Sequence, residues 1–258
     1  KMIYKCIPND RHLPMFVISY KEKGTTFNKI KVNKFVLFKF LDWDGKHPRG
    51  CITNTLGDVT DTSVFYSYQL FCKGIHYPIQ KFTKTVSRAI RKPNKKNDDL
   101  FENREDMYIM TIDPIGTADF DDALGVIEMA DGSSVVSVYI ANVVYWMDAL
   151  DLWEHFTNRI STIYLPDRKL PMIPTILSDE LCSLNVRNKR YTLAMDITIN
   201  KDQKLESVDF KLCTINVKVN YEYEEPVLLL DDAYQRLLSL SKSLNKETKY
   251  IDKIEDSH

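Results

Sequence analysis

The sequence predicts an α+β protein in which a small β-rich domain precedes a mixed α/β domain. Two observations support this prediction. Short β-branched and aromatic runs fill much of the first 100 residues, whereas strand-like and helix-like periodicities alternate from residue 101 onward. At 258 residues the chain is long enough for two domains, and we place them at residues 1–100 and 101–258.

The first half contains closely spaced strand signals, at Met15–Tyr20, Phe27–Val32 and Phe35–Leu41. This spacing is typical of a small barrel or sandwich. The Val64–Cys72 segment fits a strand by propensity and a helix by length, so both remain open. Over Phe82–Lys92, apolar residues recur at helical spacing opposite Lys and Arg, which predicts a basic amphipathic helix. The polar stretch Arg91–Phe101 then predicts a linker.

The second half alternates strands with helices. The predicted strands are Met107–Ile112, Ala123–Glu128, Val135–Val144, Tyr191–Ile199 and Ser207–Val219. The Asp131-Gly132 pair suits a hairpin turn between the second and third of these strands. The predicted helices are Leu150–Arg159 and Leu230–Leu244.

Composition excludes several classes of protein. With 44% hydrophobic and 28% charged residues, the chain is globular rather than disordered. No run approaches the roughly 18 apolar residues of a membrane span, so we expect no membrane association. The five cysteines are widely spaced without a CxxC pair. This favours reduced thiols in an intracellular protein, cytoplasmic or nuclear, over a disulfide framework or a zinc site.

The net charge of −1 hides a strong asymmetry between the two halves. The whole chain carries 35 Lys+Arg against 36 Asp+Glu. Residues 1–106 hold 20 basic and 11 acidic residues, a net of +9, which leaves 15 basic and 25 acidic residues, a net of −10, for residues 107–258. A basic half can hold a polyanion, whereas an acidic half repels phosphate unless it also holds metal ions.

The segment TIDPIGTADFDDAL, residues 111–124, carries the strongest chemical signal. It places four carboxylates in the pattern D-x5-D-x-D-D, at Asp113, Asp119, Asp121 and Asp122. Because the segment contains Pro and Gly, we expect a loop that can turn these carboxylates toward one point. Such carboxylates repel one another, and Mg²⁺ would relieve the repulsion while leaving room for a substrate phosphate. A solvated acidic turn and a calcium loop are the alternatives, although the glycine of a calcium loop is missing.

The same segment resembles the active-site signature of the RNB domain, which occurs in ribonuclease II, ribonuclease R and the hydrolytic catalytic subunit of the eukaryotic exosome. Further segments match that family in order and spacing, with the exosome-type, eukaryotic-like or viral branch the more similar. They are Asp10–Pro14, Trp43, Pro48–Gly50, Leu56–Val59, Asn103–Asp106, Ser161–Leu184 and Arg190. The resemblance implies an OB-type, cold-shock-like barrel followed by the N-terminal part of a mixed α/β RNB catalytic domain.

The resemblance also implies an activity and its residues. The family hydrolyses single-stranded RNA from the 3′ end and releases nucleoside 5′-monophosphates. By motif position, Asp113, Asp119 and Asp122 would hold Mg²⁺ as two ions, with Mn²⁺ as a substitute, and Asp121 matches the residue most associated with catalysis. An exosome-like complex is a further expected partner.

RNA contacts are expected from both halves. Tyr164 matches the aromatic residue that clamps the terminal base, and a core tyrosine is its structural alternative. Arg190 is expected to contact phosphate or, alternatively, to pair with Asp196 or another carboxylate. In the barrel, Trp43 is a candidate for base stacking. The other barrel candidates are Lys34, Phe35, Phe38, Lys39, Phe40, Lys46 and Arg49, of which at least two aromatic residues should face the core. The basic helix is either an RNA contact or a solvated face.

Two features depart from the family pattern. The family sequence H-I-A-D-V is replaced by Tyr139 to Val143, so that Tyr139 stands for His and Asn142 for Asp. The chain also lacks the family's later Arg-rich segment, and we expect it to be a fragment of a longer protein. A catalytically inactive RNA-binding or scaffold member of the same fold is therefore the alternative function.

Overall fold

The structure is a computed structural model that describes residues 2–20, 32–76, 78–92, 98–156, 161–186 and 188–255, the last of these without the side chains of 245–255. Contacts within the chain divide it into two compact units. The first comprises Lys1–Pro78 and Asn158–Met172, and the second comprises Ile79–Thr157 and Ile173–His258. The fold is α+β, as predicted. The domain boundary at residue 100 stays a prediction.

Thirteen strands and four α-helices are described. The strands are β1 Met2–Cys6, β2 Phe16–Tyr20, β3 Lys34–Asp42, β4 Arg49–Asp58, β5 Glu102–Arg104, β6 Ile109–Asp113, β7 Asp122–Glu128, β8 Ser134–Ala141, β9 Ile163–Tyr164, β10 Lys169–Leu170, β11 Lys189–Ile199, β12 Leu205–Asn216 and β13 Val219–Glu222. The helices are α1 Thr62–Cys72, α2 Gln80–Ala89, α3 Val143–Ala149 and α4 Asp232–Glu255. A wide π-helical turn spans Ile176–Cys182.

The first unit is built on a four-stranded sheet of order β1-β2-β4-β3, which forms half of a barrel. The strands predicted at Met15–Tyr20 and Phe35–Leu41 are confirmed as β2 and β3. The predicted strand at Phe27–Val32 lies outside the described residues apart from Val32. The sequence prediction missed β4, because its polar core CITNT lacks the hydrophobic alternation that marks a half-buried strand.

The ambiguous Val64–Cys72 segment is helical. Asp61 caps α1, because its carboxylate accepts hydrogen bonds from the amides of Ser63 at 2.8 Å and Val64 at 3.4 Å. The helix begins close to the end of β4, where Gly57 has φ +144° and a Cβ atom would lie 2.6 Å from Val64 Cγ2. Only glycine fits this approach. Arg168, which precedes β10, binds the same helix through the hydroxyls of Ser63 and Ser67.

The second unit is built on a seven-stranded sheet of order β13-β6-β7-β8-β11-β12-β5. The predicted hairpin of β11 and β12 is confirmed, as is the turn at Gly132, where φ is +84°. One sheet face carries the main core, which comprises Ile109, Ala123, Tyr139, Leu184, Ala194, Cys213, Ile215 and Val217. On the other face α4 packs through Tyr234 and Leu237 against Met110 and Tyr221.

Two predicted boundaries around residue 142 are wrong. The strand expected to reach Val144 ends at Ala141. The helix predicted at Leu150–Arg159 is wrong, because α3 spans Val143–Ala149 and the described residues of the predicted range hold only a 3-10 turn, at Trp153–His155. The cause is Asn142, whose side-chain oxygen accepts a hydrogen bond from the Tyr145 amide at 2.9 Å and so starts α3. The predicted helix Leu230–Leu244 is confirmed within α4, and α2 confirms the predicted basic helix.

Candidate active site

The acidic segment connects two adjacent strands of the second unit. Asp113 is the last residue of β6 and Asp122 is the first residue of β7, so Asp119 and Asp121 lie in the loop between them. The expected loop is present: Gly116 has φ +78°, and the Thr117 amide bonds to the Pro114 carbonyl at 3.2 Å. The antiparallel pairing of β6 with β7 brings the two ends of the segment together.

The carboxylates affect one another electrostatically. Burial raises the pKa of Asp113 above its ordinary value, the charges of Asp122 and Asp119 raise it further, and a hydrogen bond with the Thr111 side chain opposes the rise. Among the described residues, the buried Oδ2 atom of Asp113 has no hydrogen-bond partner. A buried carboxylate oxygen without a partner is costly, which makes this atom the most unusual feature of the loop.

The chemistry of this cluster fits a divalent cation. Carboxylate oxygens are the ligands that Mg²⁺ and Mn²⁺ take in proteins, and a cation would give Asp113 Oδ2 the partner that it lacks. In the part of the chain that the structure describes, no three His, Cys, Asp or Glu side chains are placed so that they could hold a metal ion. The carboxylates thus lie close enough to repel one another without surrounding a common point.

The charges of Asp121 and Arg190 both act on the buried thiol of Cys182. Burial raises the pKa of Cys182 to about 12; the positive charge of Arg190 opposes this rise and the negative charge of Asp121 adds to it. Arg190 is buried, donates to the Leu181 carbonyl at 3.3 Å, and has an Nε atom without a partner among the described residues. Its desolvated guanidinium therefore retains an unused donor.

Asp196 pairs with Arg104, which the sequence prediction did not select, rather than with Arg190. Both terminal nitrogens of Arg104 bond to the two carboxylate oxygens of Asp196 at 2.7 Å. Ser137 donates to the same carboxylate, and the Tyr139 hydroxyl accepts from Arg104 at 3.4 Å. The tyrosine that replaces the family histidine is thus fully buried and belongs to this ion-pair network.

The residues around the turn from β3 to β4 that were predicted to contact RNA lie on the surface of the first unit. Trp43, Lys46 and Arg49 are exposed, between β3 and the start of β4. Arg49 forms an ion pair with Asp42, through Nε at 2.5 Å and Nη2 at 2.8 Å, so part of its charge is already neutralised. Trp43 remains 56% exposed, which leaves a ring face accessible for stacking.

Among the other barrel candidates, at least two aromatic residues were expected to face the core. Phe35 stacks on Tyr68 with ring centroids 4.1 Å apart, and Phe38 packs on Phe16 at 4.9 Å, so both are half-buried structural residues. Phe40 is exposed. Lys34 lies 4.0 Å from Asp58, whereas Lys39 is exposed.

Tyr164 lies on β9 in the first unit and is 76% exposed. This exposure contradicts the alternative that it is a core tyrosine.

In the second unit, α2 buries Phe82 and Val86 and leaves Lys84 and Arg88 exposed on the opposite side. The expected basic face is therefore present, and its RNA contact stays a prediction.

Comparison with protein-family models gives a match to the RNB domain over residues 101–255. The chain belongs to the RNB domain family. It is 27% identical over 257 residues to the human exosome complex exonuclease RRP44, covering 95% of this chain and 26% of that protein. The RNB chain thus spans about a quarter of the length of that relative.

Solved structures share the fold of this RNB chain. Mycoplasma genitalium RNase R in complex with ribose-methylated single-stranded RNA superposes with a TM-score of 0.66 at 21% identity, covering 90% of this chain and 37% of that one. Yeast Ssd1, a pseudonuclease, superposes with a TM-score of 0.57 at 17% identity, covering 93% of this chain and 32% of that one.

Within the described residues, no helix has the length and apolar character needed to cross a membrane.

Proposed function

We propose that this RNB chain belongs to a Mg²⁺-dependent exoribonuclease that removes nucleoside 5′-monophosphates from the 3′ end of single-stranded RNA. The observation that carries the proposal is the buried Asp113 carboxylate of an RNB family member, whose Oδ2 atom has no partner among the described residues and which the charges of Asp122 and Asp119 affect. The name of the human relative, an exosome exonuclease, supports an RNA-degrading activity and an exosome-like partner inside the cell.

The proposed roles follow from the positions of the residues. Asp113, Asp119 and Asp122 would hold the cation, and Asp121 would orient the attacking water and accept its proton. The bound ion would supply Lewis-acid activation of the water and neutralise charge on the phosphate. Arg190, with its unused Nε donor, is suited to bind a phosphate oxygen.

The exposed aromatic residues are suited to hold bases without reading their sequence. Tyr164 would stack on the terminal base, and Trp43 would stack on an upstream base, with Lys46 and Arg49 near the backbone phosphates. The basic first half of the chain would attract the strand, and its charge predicts that RNA binding weakens as salt rises.

A catalytically inactive RNA-binding member is the second candidate, because the fold also matches a pseudonuclease. The substitutions at Tyr139 and Asn142 do not favour that candidate. Tyr139 bonds to Arg104 within the core, and Asn142 caps α3, a role that asparagine and aspartate fill equally well. Both residues therefore have structural roles, so neither substitution indicates that a catalytic group has been lost.

A gel assay separates the two candidates. The full-length gene product is incubated with 5′-labelled single-stranded RNA, with Mg²⁺ and with a chelator. We expect shortening from the 3′ end and release of mononucleotides only in the presence of Mg²⁺. Binding without shortening at any Mg²⁺ or Mn²⁺ concentration would support the inactive member instead.

A further inference from the structure

The acidic loop is bonded to a second, distant segment of the chain through one serine. The Ser183 hydroxyl accepts a hydrogen bond from the Phe120 amide at 3.0 Å and donates one to the Ala118 carbonyl at 3.1 Å. These two groups flank Asp119. The Leu184 amide adds a bond to the Phe120 carbonyl at 2.9 Å. Ser183 therefore holds the backbone on both sides of one of the four acidic residues.

The same segment is bonded to the strand that carries Asp113. The Asn220 side chain of β13 donates to the Leu184 carbonyl at 3.1 Å and to the Thr111 hydroxyl at 2.8 Å, and accepts from the Val186 amide at 3.1 Å. Both N–H donors of this amide and its oxygen are thus bonded, to Thr111 on β6 and to the segment that contains Leu184 and Val186. Thr111 lies two residues before Asp113 on the same strand, β6.

These bonds form one connected path. It runs from Thr111, on the strand that ends at Asp113, through Asn220 to the Leu184 backbone, and from the adjacent Ser183 to the backbone around Asp119. Ser183 and Thr111 are fully buried, so water cannot replace either hydroxyl as a partner. The path ties the strand that ends at Asp113 to the backbone around Asp119, independently of the repulsion between the carboxylates.

We propose that Ser183 and Asn220 are positioning residues that hold the repelling carboxylates in place for a divalent cation. The proposal rests on the proposed function, because it assigns these residues to the same acidic site. Removal of the Ser183 hydroxyl leaves the Phe120 amide and the Ala118 carbonyl without partners, which frees the loop to move apart under its own charge. Supporting residues of this kind change metal affinity by roughly 10- to 100-fold when they are replaced.

The test compares Ser183→Ala with a matched control, Thr192→Val, in the 258-residue chain. Thr192 is also fully buried, and its hydroxyl donates to the Cys213 carbonyl at 3.1 Å on the neighbouring strand. Each variant therefore deletes one buried hydroxyl, but of the two hydroxyls only that of Ser183 contacts the acidic loop. Two quantities are measured for each: the Kd for Mn²⁺ alone, by electron paramagnetic resonance, and the hydrogen-exchange rate of the Phe120 amide.

We expect Ser183→Ala to raise the Mn²⁺ Kd about 10-fold or more and to speed exchange of the Phe120 amide, whereas Thr192→Val changes neither more than about twofold. Asn220→Ala should raise the Kd in the same direction. Equal Mn²⁺ affinities for Ser183→Ala and the unaltered chain would overturn the positioning role. Failure of the full-length protein to hydrolyse RNA, with the Mn²⁺ effect intact, would contradict the proposed function and leave the positioning role standing.

Discussion

Arg104 and Asp196 form a buried, two-pronged ion pair that links β5 to β11 in the second unit. Both oxygen–nitrogen distances are 2.7 Å, and Glu102 bonds the remaining Nε of Arg104 at 2.7 Å. The Tyr139 ring lies beneath the guanidinium, 5.9 Å from ring centroid to Cζ. This network anchors the edge strand that leads into the acidic segment, although none of its members belongs to that segment.

Breaking this pair should destabilise the chain strongly. Arg104→Met leaves the buried Asp196 carboxylate without its main partner, so we expect a loss of about 3–5 kcal/mol in the free energy of unfolding. The double variant Arg104→Met with Asp196→Leu should recover part of that loss, because no uncompensated charge remains. Urea unfolding of the two variants measures both values, and an equal loss in each would contradict the assigned pairing.

The same pair predicts a pH dependence of stability. The hydrogen bond from Arg104 holds the pKa of Asp196 below its ordinary value. Its stabilising effect is therefore fully present above the unfolded value of about 4 and is lost as the pH falls through the lower folded pKa. The stability difference between the unaltered chain and Asp196→Asn should be largest near pH 7 and shrink toward pH 3. A constant difference over that range would rule out the linkage.

The substitution of Asn142 for the family aspartate should be neutral for stability. Both side chains can cap α3, so we expect Asn142→Asp to change the free energy of unfolding by less than about 0.5 kcal/mol, whereas Asn142→Ala costs about 1 kcal/mol. Thermal unfolding of the two variants provides the measurement. A loss in Asn142→Asp as large as that in Asn142→Ala would show that the negative charge itself is excluded here.

Asp113 should reduce the stability of the cation-free chain. Its raised pKa shows that the folded state disfavours the charged carboxylate. Asp113→Asn should therefore raise the Tm by a few degrees, which corresponds to about 1 kcal/mol for a chain of this size. Added Mg²⁺ should raise the Tm of the unaltered chain and have little effect on the variant. The reverse order of melting temperatures in a chelator would contradict this account of the loop.

The sequence predicted those features that depend on local pattern. The acidic loop, the hairpin of β11 and β12 and the amphipathic α2 follow from turn residues and hydrophobic periodicity. The helix α3 was not predicted at its observed position, because a single cap, Asn142, outweighs the strand propensity of the following valines. Nothing local marks the contacts of Ser183 or the pair of Arg104 with Asp196, because their partners lie 63 to 92 residues away in the sequence.

The catalytic role of Asp121 is the most direct test of the central claim. The full-length protein and its Asp121→Asn variant are compared for hydrolysis of 5′-labelled single-stranded RNA at the same Mg²⁺ concentration, with Asp202→Asn in the exposed turn after β11 as the charge-matched control. We predict that Asp121→Asn lowers the hydrolysis rate by about 10²- to 10⁴-fold while the Kd for RNA stays within about twofold, and that Asp202→Asn changes neither. An Asp121→Asn protein that still shortens RNA at the unaltered rate would contradict the account.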